Sequence, residues 1–92
     1  MLSMTHHAQA RQQQRGIPPT VVESLLDFGH EAHDHHGSRI VYFDHRARRQ
    51  LRRQVGTESY KLIEPHLDAY AVVADTGEVI TVGHRTRRIH RH

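Results

Sequence analysis

The apolar and polar positions of the chain follow helical and strand periods in short alternating segments. Residues His6–Gly16 read as a helix that Thr5 or Ser3 can cap and that Gly16 closes, although it holds no large aliphatic residue. A second helix starts at Pro19 and ends at Gly29. Its apolar residues recur at helical spacing: Val21, Val22, Leu25, Leu26 and Phe28. This second helix is predicted to be the main core helix.

The next segments alternate between strand and helix patterns. The polar stretch His30–His36 is predicted to be an edge strand or a loop, and residues 38–43 form a β-branched and aromatic strand. Asp44 caps a third helix that Gly56 closes, and a short helix from Ser59 to Glu64 stops at Pro65.

The last segments are two strands, 67–74 and 78–84, joined by the turn Asp75-Thr76-Gly77 into a hairpin. The resulting order is ααββααββ. This order predicts a single α+β domain over residues 1–92, with helices on one face of an antiparallel sheet.

Composition narrows the class of protein. The chain has no cysteine, so disulfides and thiolate metal sites are excluded, and a reducing cytoplasm is the expected compartment. Its apolar runs are too short to cross a bilayer and its first residues lack a signal-peptide pattern, so no membrane partner is expected.

Positive charge is concentrated in the second half of the chain. Residues 1–44 carry three basic and five acidic side chains, whereas residues 45–92 carry ten basic and five acidic ones. Twelve of the thirteen basic residues are arginine, which suits bidentate phosphate contact and favours a polyanion such as RNA. A genome rich in G and C yields the same bias without any role in binding. The eleven histidines should strengthen anion binding on mild acidification.

The first candidate site lies on the first helix. His7, Arg11 and Arg15 are spaced four residues apart and share one face. Metal-independent RNA cleavage needs a base, an acid and cations on the phosphate, and histidine and arginine supply all three. Alternatively, both arginines pair with acids such as Glu23 or Asp27 and His7 packs with Ala8.

The second candidate site is the end of the chain. In a strand from Glu78, strict alternation places Val79, Thr81, Gly83 and Arg85 on one face, and Ile80, Val82 and His84 on the other. The arginines that follow, with His84 and His90, form a phosphate-binding tail or a solvated terminus: Arg85, Arg87, Arg88 and Arg91.

Each of two further clusters is either a binding site or a polar surface that is simply exposed to solvent. The third helix carries Arg48, Arg49, Arg52 and Arg53, whose like charges at i,i+4 favour an anionic partner such as RNA. With only two Phe and three Tyr, phosphate contact is expected to dominate over base stacking. The histidines of His30–His36 share strand faces as metal ligands do, but a polar edge is the favoured interpretation, so no metal or other cofactor is predicted.

Two motifs together resemble a known family. The chain is similar to the bacterial domain-of-unknown-function family 4258 in two motifs, which occur in the same order. The first motif is His7-Ala8-x-x-Arg11-x-x-x-Arg15-Gly16-Ile17, followed by the apolar helix that ends at Gly29. The second is the run from Val79 to Arg85. That family resembles RelE-type ribonuclease toxins of the barnase–EndoU–colicin–RelE group. The resemblance implies two N-terminal helices on a curved antiparallel sheet, with the Arg-rich segment Asp44–Glu64 inserted.

The resemblance also implies a site and an activity. The matching residues are His7, Arg11, Arg15, Thr81, His84 and Arg85. The first helix would pack through Met4 and Ala8, with its polar residues facing Thr81 and Arg85 across a groove. His7 and His84 would act as base and acid, in either order, for a 2′-hydroxyl attack that leaves a cyclic phosphate. The arginines would hold the phosphate, and Thr81 would orient it.

RNA or the ribosome is therefore the expected partner. The alternatives are a non-catalytic nucleic-acid-binding or ribosome-associated module and an interaction domain for an acidic, antitoxin-like protein. The ribonuclease and both alternatives would use the same arginines, so the sequence leaves open whether the chain is an enzyme.

Overall fold

The computed structural model describes residues 3–33 and 37–85 of the chain. Its elements are α1 His6–Gln14, α2 Pro19–Phe28, β1 His30–His33, β2 Arg39–Tyr42, α3 His45–Ile63, a 3-10 turn Glu64–His66, β3 Ala69–Val73 and β4 Val79–His84. This order confirms the predicted α+β arrangement. The two helices predicted on either side of Gly56 form one element, α3, with a break where Gly56 takes φ 82° and ψ 168°.

The helix starts follow the predicted caps. The Ala8 amide donates to the Thr5 hydroxyl at 3.1 Å, and the Ala47 amide donates to the Asp44 carboxylate at 2.7 Å. Pro18 precedes α2 without a side-chain cap. Local sequence therefore determines where α1 and α3 begin, because the capping groups satisfy amides that have no partner within the helix.

The four strands form one antiparallel sheet in the order β1-β2-β3-β4, so β1 is an edge strand, in line with its polar sequence. Direct cross-strand partners lie on the same face of a sheet. One row of partners is His30, Tyr42, Tyr70 and Gly83. The neighbouring row is Ala32, Ile40, Val72 and Thr81.

The helices cover only one face of the sheet. The hydrophobic core joins Ala8 of α1, Val21 of α2 and Leu51 of α3 to one set of sheet residues. Those sheet residues are Val41, Ala69, Ala71, Val73, Val79 and Val82. Neither row of partners described above belongs to this core. We call the face that carries both rows the open face.

The first helix packs through small side chains. Ala8 is fully buried and Met4 packs against the core, which confirms the contact expected from the sequence. The backbone before α1 runs beside β4, since the Thr5 amide donates to the Val79 carbonyl and the Val79 amide donates to the Ser3 carbonyl. These bonds attach α1 at the start of β4, so the helix needs no broad aliphatic stripe.

The predicted alternation along β4 is wrong at its first residue. Val72 pairs with Thr81 but Val73 pairs with Val79, so Ile80 is the extra residue of a β-bulge. Val79 therefore faces the core together with Val82, instead of sharing a face with Thr81. Within residues 3–33 and 37–85, no helix is long and apolar enough to cross a membrane.

Candidate functional site

Chemically active side chains meet at one end of the sheet, where β2 ends, β3 begins and β4 ends. His84 is the cross-strand partner of Ala69, and the Arg85 amide donates to the Asp68 carbonyl at 2.7 Å. The start of α3 and the 3-10 turn lie at the same end. We call the group formed there the Arg85 cluster: Tyr42, Arg48, His66, His84 and Arg85.

Two guanidinium groups of the cluster converge on one backbone oxygen. Arg48 Nε donates to the Phe43 carbonyl at 3.2 Å, and an Nη of Arg85 donates to the same oxygen at 3.4 Å. A second donor of Arg48 reaches the Leu67 carbonyl at 3.4 Å. Desolvation by burial, followed by the charge of Arg48, lowers the pKa of Arg85 below its usual value. The charged form of Arg85 therefore carries a free-energy penalty in the folded protein, and a bound anion would reduce that penalty.

The surroundings of Arg85 leave polar atoms unsatisfied. Its guanidinium lies over the Tyr42 ring, 5.0 Å from the centroid. Arg85 Nε and the Tyr42 hydroxyl are both buried, and neither forms a hydrogen bond within the described part of the chain. Tyr42, Asp68 and Asp44 raise the pKa of Arg85 and so offset its desolvation only in part. Buried donors without acceptors favour an anionic ligand at this point.

Two histidines of the cluster contact each other directly. His66 Nδ1 lies 3.4 Å from His84 Nε2, and the stacked rings have centroids 5.6 Å apart. In such a contact one imidazole donates a hydrogen bond and the other accepts it. The contact brings two groups of the kind that act as general base and acid to the strand end that Arg85 follows. Sequence reasoning missed His66 because a turn residue after Pro65 carries no periodic signal.

A third histidine lies nearby on the open face. His30 Nδ1 is 3.4 Å from the Asp44 carboxylate, and its ring meets the Tyr42 ring edge-on at 5.4 Å. Of the predicted polar stretch His30–His36, His33 is exposed on β1 and residues 34–36 lie outside the described residues. Among the residues that are described, no group of three or more His, Cys, Asp or Glu could hold a metal ion.

The candidate residues of α1 make no polar or ring contact with this cluster within the described residues. His7 and Arg15 are exposed and Arg11 is half-buried. Within residues 3–33 and 37–85 their side chains form no hydrogen bond, ion pair or ring contact, with the cluster or with Glu23 and Asp27. The joint action of His7 with His84 stays a prediction.

The remaining candidates divide between exposed and inward positions. Thr81 lies half-buried on the open face, in the row next to Gly83. Arg49 and Arg53 are exposed on α3, and Arg52 lies over the Tyr60 ring at 5.8 Å. Arg48 differs from its three neighbours, because it turns inward to join Arg85. The predicted contacts of Arg87 and Arg88 lie outside the described residues.

No protein-family model, curated protein or solved structure matches this chain. The likeness to family 4258 therefore rests on the two sequence motifs.

Proposed function

We propose that the chain binds RNA and cleaves it without a metal ion at the Arg85 cluster. The observation that carries this proposal is the direct contact of His66 with His84 at the same end of the sheet as the two converging guanidinium groups. Acid–base groups next to a cationic phosphate site are the minimum that 2′-hydroxyl attack requires. The resemblance implies the same chemistry, but in this scheme His66 takes the catalytic role that the resemblance gives to His7.

The proposed reaction uses each imidazole once. One imidazole accepts the proton of the 2′-hydroxyl, whose oxygen forms a bond to phosphorus. The bond from phosphorus to the 5′-oxygen breaks, and the other imidazole donates a proton to that oxygen. The products are a 2′,3′-cyclic phosphate and a 5′-hydroxyl. Both rings are half-buried, and their direct contact must open for the phosphate to enter between them.

The arginines have separate roles in this scheme. Arg85 and Arg48 stabilise the charge that develops on the phosphate, which is worth most where water is largely excluded. The exposed Arg49 and Arg53 contact neighbouring phosphates without reading sequence. Thr81, on the open face, positions the flanking strand, and the substrate is RNA, free or within a ribosome. The phosphate contacts of Arg11 and Arg15 stay predictions.

The direct test is cleavage of RNA in the presence of a chelator. We expect the purified chain to cut a single-stranded RNA oligonucleotide in EDTA and to leave 2′,3′-cyclic phosphate ends, because no step needs a metal. His6→Ala is the matched control for the loss of a histidine, since His6 is exposed on α1 and has no role in the scheme. Activity that is lost in EDTA and restored by zinc would contradict the scheme and return attention to His30–His36.

Salt dependence tests the phosphate contacts separately. If about six phosphates are contacted, the logarithm of the RNA association constant should fall with a slope of about −4 against log salt, at roughly −0.7 per contact. Replacing Arg49 and Arg53 together by glutamine should make that slope shallower by about 1.4. A slope near zero for the parent, measured by filter binding or anisotropy, would remove RNA as the partner.

A further inference from the structure

The open face of the sheet carries an aromatic side chain in an unusual position. Tyr70 lies between Tyr42 and Gly83 in the same cross-strand row. Tyr42 is only 2% exposed, covered by Arg85 and His30. Tyr70 is half-buried and does not contribute to the hydrophobic core. It is therefore an aromatic ring on a sheet surface that the described helices leave uncovered.

The absence of a side chain at Gly83 determines how Tyr70 lies. A Cβ atom built on Gly83 would be 3.1 Å from Cε1 and from the hydroxyl oxygen of Tyr70. The outer half of the ring thus occupies the space above the glycine, so the ring leans across β4. A tyrosine resting on backbone in this way offers a flat apolar surface near the plane of the sheet.

A cationic group lies next to this surface. Arg85 comes directly after β4, and its guanidinium lies over the ring of Tyr42, the cross-strand neighbour of Tyr70. The Nε atom of Arg85 and the hydroxyl of Tyr42, which is almost fully buried, lack hydrogen-bond partners among the described residues. An apolar ring in the same row as the ring beneath Arg85, whose Nε lacks a partner, suits the base and the phosphate of one nucleotide.

We propose that Tyr70 stacks on one unpaired base of the RNA whose adjoining phosphate is held by Arg85. This inference deepens the proposed function, on which it rests, because it specifies single-stranded RNA as the substrate class. A duplex keeps its bases stacked within the helix and cannot present one to a ring on a sheet. Aromatic stacking accepts any base, so the site selects strandedness and not sequence.

The experiment measures binding of 2′-O-methyl oligonucleotides, which lack the attacking hydroxyl and stay intact. The probes are one single-stranded oligomer, the same oligomer with abasic positions, and its duplex. The proteins are the parent, Tyr70→Leu and Tyr70→Phe. We expect the parent to prefer the oligomer with bases, and Tyr70→Leu to bind it about 5- to 150-fold more weakly. Tyr70→Phe should keep the affinity because it keeps the ring.

Each outcome decides the inference. Equal affinity of the parent for the normal and the abasic strand would overturn it while leaving the proposed cleavage intact, and that comparison needs no variant to fold. A preference for bases that Tyr70→Leu retains would overturn it as well. A preference that is lost in Tyr70→Leu supports the inference, even if the parent never cuts RNA and only the proposed cleavage fails. No binding of any strand would overturn both proposals.

Discussion

Replacing His84 by alanine is expected to slow RNA cleavage by roughly two to four powers of ten, with RNA affinity nearly unchanged. The loss follows from the contact with His66, because removing one ring leaves the reaction without either its base or its acid. Affinity should persist because Arg48 and Arg85 remain. Single-turnover rates in EDTA, measured beside the dissociation constant, separate the two effects.

Variants of the other histidines identify the partner of His84. The cleavage rate of His66→Ala should fall as far as that of His84→Ala. The double variant should be only a little slower, since the effects of groups that act as a unit are not additive. His7→Ala should keep most of the activity if the pair is His66 and His84. Loss of cleavage in His7→Ala but not in His66→Ala would instead support the pairing expected from the sequence motifs.

The pH dependence of the parent distinguishes an enzyme from a binding module. Cleavage that needs one neutral and one charged imidazole should pass through a maximum as the pH is varied. Binding through arginines, which stay charged, should only strengthen on acidification as the eleven histidines gain protons. RNA that is bound at every pH measured and never cut would leave a non-catalytic RNA-binding module.

Replacing Leu51 by alanine is expected to lower the free energy of unfolding by about 2–5 kcal/mol. Leu51 is fully buried in the core where α3 packs, so truncation loses apolar burial and leaves a cavity. For a domain of this size each kcal/mol lowers Tm by about 4–8 °C, and the total shift should exceed about 10 °C. Thermal and urea unfolding followed by circular dichroism measure both quantities.

The same helix provides a matched control. Leu62→Ala removes the same atoms from α3, but Leu62 is 77% exposed. We expect its effect on stability to remain within about 0.5 kcal/mol. Equal losses in both variants would mean that Leu51 does not hold α3 in the core, and that the attachment of Arg48 to the cluster is not as described.

Local signals along the chain predicted most of the elements and their ends. Thr5 and Asp44 cap α1 and α3, and the polar stretch from His30 begins as an edge strand. These features depend on neighbouring residues, so periodicity and capping chemistry are sufficient to identify them. The sequence also singled out His84 and Arg85, and both belong to the cluster.

Long-range pairing decided what the sequence left open. The bulge at Ile80 turns Val79 into the core, and it depends on the register with β3. His66 joins His84 because the 3-10 turn and the end of β4 meet across the sheet, a contact between residues 18 positions apart. Such contacts depend on packing between separate elements, which no local period records.

The sequence by itself thus determined the elements, their order and the arginine supply, because each follows from neighbouring side chains and composition. Tertiary structure alone decided that Arg48 turns inward to share the Phe43 carbonyl with Arg85, while Arg49 and Arg53 remain exposed. It also placed Tyr70 over Gly83 on the open face. The physical reason is that a helix or strand determines which residues share a face, whereas the packing of elements determines what that face meets.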